Sequence, residues 1–274
     1  MSEVPAGERP GEDVVRYEVD ADGVATVTLN RPDRMNAWND AMEVRYFDVL
    51  DDADADPAVR AIVVTGAGRG FCPGKDMADL ETVSQGPGQD HGWRTRPMTH
   101  GLTIRKPMVA AINGGCAGIG LVQALVCDVR FASSGAKLAT AFARRGLPAE
   151  FASAWLLTRL IGTGRAMDLL LSARTVSAEE ALALGLVNWV RAPEDLLPAA
   201  LAYARDVAAS CSPSAMAAIK AQVAADWHRT SDESLVDAVA RVADPAGRAD
   251  FREGVASYVE RRPPQFGPLP PRIG

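Results

Sequence analysis

Arg60-Ala-Ile-Val-Val-Thr-Gly-Ala-Gly-Arg-Gly-Phe-Cys-Pro-Gly-Lys-Asp-Met77 is the stretch that decides how the chain reads. Its first six residues are a short apolar, β-branched run of the length of a buried strand, and its glycines then break the run into a sharp turn. The same order returns at Lys106-Pro-Met-Val-Ala-Ala-Ile-Asn-Gly114, which continues through Asn113-Gly-Gly-Cys-Ala-Gly-Ile-Gly120 into an apolar helix ending near Cys127. Two buried strands, each running into a glycine-rich turn, point to an α/β core.

Outward from this block, Val14 to Val19 and Val24 to Leu29 alternate apolar and polar residues on either side of Asp22-Gly23, which predicts a β-hairpin. Asn30-Arg-Pro-Asp-Arg-Met-Asn-Ala37 is rich in turn formers, and the apolar spacing of Met42, Val44, Phe47, Val49 and Leu50 predicts a helix from about Asp40 to Ala53. The stretch from Val83 to Arg96 is polar and rich in Gly and Pro, the composition of a mobile surface segment. Asp128-Val-Arg-Phe-Ala132 is a further strand. Beyond it the chain reads as mostly helical: from Pro148 to Leu160, from the capping box Ser177-Ala-Glu-Glu180 to Gly185, from about Pro193, Pro213 and Ser231, and from Gly247 to Arg261. The layout predicts a flexible tail over 1–13, an α/β core over 14–200 and a helical region over 201–274.

The chain has 274 residues, 47% apolar and 23% charged, and a formal charge of −6. No Lys/Arg cluster supplies the basic face that nucleic-acid binding needs. Cys72, Cys116, Cys127 and Cys211 lie far apart with no C-x-x-C spacing, and His91, His100 and His228 are scattered, so no metal site is expected. Such thiols read as small buried apolar side chains of a reducing cytosol. No apolar run approaches the ~18 residues of a membrane helix. The expectation is a cytoplasmic protein.

The glycine turns fit neither G-x-G-x-x-G in a Rossmann setting nor G-x-x-x-x-G-K-[ST], so phosphate cradling is excluded. Glycine does allow a ligand close to backbone N–H groups, and a residue opening a helix has a free N–H. Two such donors converging on one point would form an oxyanion hole. Simple turns account for the same glycines.

The blocks Thr65 to Met77 and Lys106 to Gly114 resemble the two hallmark segments of the crotonase (enoyl-CoA hydratase/isomerase) superfamily. Asn30-Arg-Pro, Cys127-Asp-Val-Arg-Phe-Ala, Ser177-Ala-Glu-Glu-Ala, Leu184-Gly-Leu-Val and Arg252-Glu-Gly follow in the family's order, from about Val14 to Phe266. The resemblance implies a spiral of ββα turns with a helical trimerisation region, assembled as a homotrimer or a hexameric dimer of trimers. It implies that the N–H groups of Lys75 and Ile119 hold the carbonyl of a coenzyme A thioester, with Asp76, Met77 and Gly118 beside them. Asp76 is expected to cap a short helix. Coenzyme A would arrive as part of the substrate, with no separate cofactor. Tyr258 and Arg261 match positions that contact the coenzyme A of a neighbouring subunit. The family usually has small residues where this chain has Lys75 and Ile119, a departure expected to narrow the acyl pocket.

The carboxylates depart further. Hydratases of the family carry one glutamate where this chain has Val122 and a second where it has about Phe142. Neither residue moves a proton, so two-glutamate water addition is not carried over. Glu150, in Gly146-Leu-Pro-Ala-Glu-Phe-Ala-Ser153, stands where dienoyl-CoA isomerases of the family carry an acidic base and chlorobenzoyl-CoA dehalogenases a nucleophile. An acid just after Pro148 also suits a helix N-terminus. Phe142, Phe151 and Trp155 around it would favour a neutral carboxyl by desolvation. Arg144-Arg145 suits either an acidic group of the ligand or a solvated loop, and His91, Trp93 and His100 fall in the family's variable acyl-pocket segment. The expected activity is enoyl-CoA hydration or isomerisation with Glu150 as proton shuttle. The alternatives are a thioester hydrolase or dehalogenase in which Glu150 attacks, and an inactive coenzyme A-binding assembly protein.

Overall fold

A computed structural model describes residues 14–77, 96–243 and 245–272. The expected tail, most of the 83–96 stretch, His91 and Trp93 lie outside the described residues. The hairpin forms as predicted: β1 (Val15–Val19) and β2 (Val24–Leu29) pair antiparallel, with Gly23 at φ 76° where a Cβ would be strained. Helix α1 (Asp40–Ala55) starts at Asn39, whose side chain accepts the Met42 N–H. Strands β3 (Ala61–Gly66), β4 (Gly70–Cys72), β5 (Met108–Ile112) and β6 (Gly115–Ala117) follow. Next come α2 (Ile119–Leu125), β7 (Val129–Ser133) and β8 (Lys137–Ala139).

The later half is helical, as expected, but not entirely so. Helices α3 (Ser153–Ile161) and α4 (Thr163–Ser172) precede a two-residue strand β9 (Val176–Ser177), α5 (Ala178–Leu184) and strand β10 (Trp189–Arg191). The Ser177 hydroxyl accepts the Glu180 N–H, as the capping box requires. Helices α6 (Leu196–Ser210), α7 (Pro213–Asp226), α8 (Ser231–Ala243) and α9 (Pro245–Glu260) follow. No helix among the described residues is long and apolar enough to cross a membrane.

Two sheets result. The larger has the order β1-β2-β3-β5-β7-β10 and is parallel from β2 onward; the smaller has the order β4-β6-β8-β9. Strand alternation divides the core. Ile62, Val64, Met108 and Ala110 face one side with Tyr46, Phe47 and Leu50 of α1, while Ala61, Val63, Val109 and Ala111 face α6. Helix α6 meets that face with Leu196, Ala200, Ala204 and Ala208, a four-residue spacing that keeps small side chains on one stripe.

Cys72, Cys116 and Cys127 are buried, and burial pushes the Cys72 and Cys127 thiols up to about 12. Cys211 corrects the expectation: it is exposed, at the C-terminal cap of α6, where its side chain leaves the alanine stripe. The tail after α9 runs back over α1. Arg60 donates to the Phe266 carbonyl, Arg105 to the Pro270 carbonyl, and Arg272 pairs with Asp54 at 3.0 Å. Asp54 also accepts from Arg105 Nε and from the Arg105 N–H. Burial alone would raise that carboxyl, but the hydrogen bonds and charge of Arg105, with Arg272, hold it below the usual carboxylate range.

Candidate active site

The two glycine turns meet. β4 and β6 are parallel neighbours with Cys72 opposite Cys116, which brings residues 73–75 against residues 117–119. A Cβ built on Gly74 would lie 3.3 Å from the Ala117 carbonyl oxygen and 4.0 Å from the Gly118 Cα. One built on Gly120 would lie 2.1 Å from the Cys72 carbonyl oxygen, closer than any packing tolerates. Gly74 and Gly118 also have φ of 111° and 52°. Space and backbone conformation both demand glycine at this contact.

Each turn presents a backbone amide beside it. Trp38 makes an isolated parallel bridge with Lys75: the Trp38 N–H donates to the Gly74 carbonyl at 2.8 Å, and the Asp76 N–H donates to the Trp38 carbonyl at 2.9 Å. In such a bridge the residue between the two bonded groups turns its own N–H to the opposite edge. The Lys75 amide is therefore aimed away from Trp38. Ile119 is the first residue of α2, so its N–H has no acceptor within the helix.

The first turn is pinned from outside. Asn36 Nδ2 donates to the Ala67 and Gly70 carbonyls, and Asn113 Nδ2 donates to that of Gly68. Asp76 pairs with Arg31 at 3.0 Å, and Met77, the last residue described before the break, is exposed. The Lys75 ammonium is drawn back to Asp40 at 2.7 Å, and the Ile119 side chain is packed into the main core. Both bulky side chains thus turn into the protein's own framework, which is how the site accommodates them. Trp38, Asn36 and Asn113 were not singled out by sequence reasoning. The signal was present for two of them: Asn36 lies in the turn-rich Asn30–Ala37 segment, and Asn113 directly follows a buried strand.

The segment carrying Glu150 leaves from the same place. β8 runs beside β6 with Ala139 opposite Ala117, and the Gly118 N–H donates to the Ala139 carbonyl at 3.2 Å. Val122 is fully buried in α2 and Phe142 is 5% exposed, both in the apolar core. No carboxylate stands at either position.

Glu150 itself is half-buried, and here the structure corrects the sequence. A helix starting at Pro148 is not formed. Phe151 and Ala152 both take left-handed φ, 52° and 60°, which a right-handed helix cannot include, and α3 begins only at Ser153. The Ser153 N–H donates to the Glu150 carbonyl at 3.0 Å, which closes a bend. The first turn of α3 contains no acid, and Glu150 lies just ahead of that helix, outside it. Two consecutive non-glycine residues in this region cost roughly 1–3 kcal/mol each and persist where surrounding structure enforces them, commonly at functional sites. Leu147, Phe151 and Trp155 pack against the core around the bend.

The remaining candidates are placed elsewhere. His100 Nε2 lies 2.7 Å from Asp51 with its ring edge-on to Phe47, tied to α1. Arg144 and Arg145 are exposed and donate to the Ser172 and Ala141 carbonyls, in keeping with a solvated turn. Tyr258 is exposed on α9, and Arg261 follows its end in a left-handed conformation at φ 54°.

Comparison with known proteins bears on the family and the fold. The family described as Enoyl-CoA hydratase/isomerase matches residues 20–268. A 1,2-epoxyphenylacetyl-CoA isomerase of Escherichia coli (strain K12) is 37% identical over 250 residues, 89% of this chain and 95% of that protein. The crystal structure of an enoyl-CoA hydratase from Mycobacterium marinum is 51% identical and superposes with a TM-score of 0.69, covering 79% of this chain and all 100% of that one. An enoyl-CoA hydratase from Polaromonas sp. JS666 superposes with a TM-score of 0.85 at 26% identity, over 92% of this chain and 99% of that one. With the whole core matched in sequence and in fold, this chain belongs to the enoyl-CoA hydratase/isomerase family of the crotonase superfamily and is an enzyme.

Proposed function

We propose that this enzyme isomerises a double bond in an acyl-CoA thioester, with Glu150 as the one proton carrier. The thioester oxygen is held by the N–H groups of Lys75 and Ile119, which stabilise the negative charge that collects there when a proton leaves the α-carbon. Glu150 takes that proton and returns it two carbons further along, so the double bond moves and the atoms balance without water. The observation that carries this reading is the pair of apolar core residues Val122 and Phe142 where a two-carboxylate site would need acids. Coenzyme A enters as part of the substrate, and the chemistry asks for no further cofactor.

The test is a product analysis with a short 3-enoyl-CoA. The expected product is the 2-enoyl-CoA of equal mass. If the enzyme instead turns 2-enoyl-CoA into the 3-hydroxy thioester, one water heavier, faster than it isomerises the 3-enoyl form, water addition is its reaction and this reading is wrong.

Assembly into a homotrimer, alone or paired as a hexamer, belongs to the same proposal. Helices α8 and α9 leave Leu235, Val236, Val239, Val242, Phe251 and Val259 exposed, Val242 at 82%. An apolar surface of this extent marks a contact with another chain. Tyr258 and Arg261 then stand where coenzyme A of a neighbouring subunit would pass. Light scattering should return a multiple of three times 29.0 kDa; a monomer at micromolar concentration contradicts the assembly and both of those assignments.

A further inference from the structure

The bend at Glu150 needs something to hold it, and an aromatic cluster on the helix that follows reaches the C-terminal helices. Trp155, on the first turn of α3, meets Trp227 at the end of α7 edge-on, with ring centroids 4.5 Å apart at 82°. His228 lies nearly parallel to Trp155 at 6.1 Å. The Arg159 guanidinium stacks 4.2 Å from the Trp155 ring centre and 5.8 Å from that of Trp227, closing the cluster with a cation over two aromatic faces. A cavity of about 590 Å³ separates α7 from the strand ends beneath it, with Trp155 and Trp227 both on its wall. The aromatic cluster therefore links α3 to the end of α7 across the rim of this cavity.

From this placement we infer that Trp227 is a positioning residue for Glu150: it fixes Trp155, Trp155 fixes the start of α3, and α3 fixes the left-handed Phe151–Ala152 pair that aims Glu150. The inference rests on the proposed role of Glu150 for its catalytic consequence, but not for its structural one. Left-handed residues persist only where neighbouring contacts over-determine them. The Ser153-to-Glu150 hydrogen bond sets the bend from inside, Leu147 and Phe151 pack it against the core, and the Trp155 cluster adds a contact from the C-terminal helices.

The test is Trp227→Ala, with Trp227→Phe as the conservative partner; Trp227 is partly exposed, so both variants are expected to fold and assemble. In Trp227→Ala the Ser153 amide should exchange its hydrogen at least about 10-fold faster. The value of kcat should fall about 10-fold with KM within twofold, since a 1 Å misplacement of a catalytic group costs up to about 10²-fold. Trp227→Phe should restore both, and Trp227→Ala should add nothing to Glu150→Gln, because residues acting through one group are not additive. Unchanged Ser153 exchange overturns the inference, and so does a rate loss that appears only with dissociation of the assembly. If Glu150→Gln keeps full turnover, the proposed function fails while the exchange result still decides whether Trp227 holds the bend. If Glu150→Gln is inactive and Trp227→Ala behaves as wild type in exchange and rate, only the positioning role is lost.

Discussion

Glu150→Gln is expected to lower turnover about 10²–10⁴-fold while acyl-CoA affinity stays within a few-fold, the usual share of general acid–base catalysis. The amide keeps the shape and the hydrogen bonding of the acid and accepts no proton at neutral pH. The bend should survive, because its backbone bond runs from the Ser153 N–H to the Glu150 carbonyl and does not involve the side chain. The competing role, an acid stabilising a helix N-terminus, would cost about 1 kcal/mol or less of stability and leave the rate intact. The start of α3 at Ser153 leaves Glu150 just ahead of that helix. Melting temperature and rate measured on this one variant separate the two, and an active enzyme with normal turnover would remove Glu150 from the chemistry.

Gly120→Ala should be the second large effect, about 10²–10³-fold in turnover, with a melting temperature lower by several degrees. Alanine in place of glycine inside a helix would by itself stabilise by up to about 1 kcal/mol. Here the added carbon would lie 2.1 Å from the Cys72 carbonyl oxygen and 2.7 Å from the Cys72 Cβ, so backbone must move. Overpacking of this kind costs about 1–3 kcal/mol and outweighs the propensity gain. The movement spreads the two turns, and with them the Lys75 and Ile119 amides. Loss of one oxyanion donor costs about 2.7–4 kcal/mol of transition-state binding. Gly135→Ala is the matched control, since nothing lies within 4 Å of its added carbon. A folded Gly120→Ala enzyme with wild-type turnover would show that the spacing of the turns does not matter to the reaction.

The sequence announced the elements whose signal is local. The hairpin at Asp22-Gly23, α1 with its asparagine cap, β3, β5 and β7, the Ser177 capping box and the helices after Ser210 all form where periodicity and caps place them. The smaller sheet was not legible, because β4, β6, β8 and β9 have two or three residues each and no periodicity shows over so short a run. The bend at Phe151–Ala152 was not legible for another reason. Pro148 is a normal helix opener, and the left-handed geometry beyond it goes with tertiary packing of Leu147, Phe151 and Trp155 that no local pattern announces. Trp38 illustrates a third kind of blindness: its role as a clamp on Lys75 depends on a one-residue bridge between segments 37 positions apart. The glycine turns were visible as turns, and their convergence needed the parallel register of Cys72 with Cys116.

The tail that crosses α1 sets an order of events during synthesis. Arg272 is added 218 residues after Asp54, the carboxylate it pairs with. At about 5–20 residues per second the ribosome needs roughly 10–40 s to cover that distance. During this time a nascent chain can form α1 and bring Arg105 to Asp54, but one of the two guanidinium partners of that carboxylate is still missing. The Phe266 and Pro270 carbonyls that receive Arg60 and Arg105 are also yet to be made. Helix α1 is therefore sealed by a stretch made more than two hundred residues later, and its contacts close only once that stretch has been synthesised.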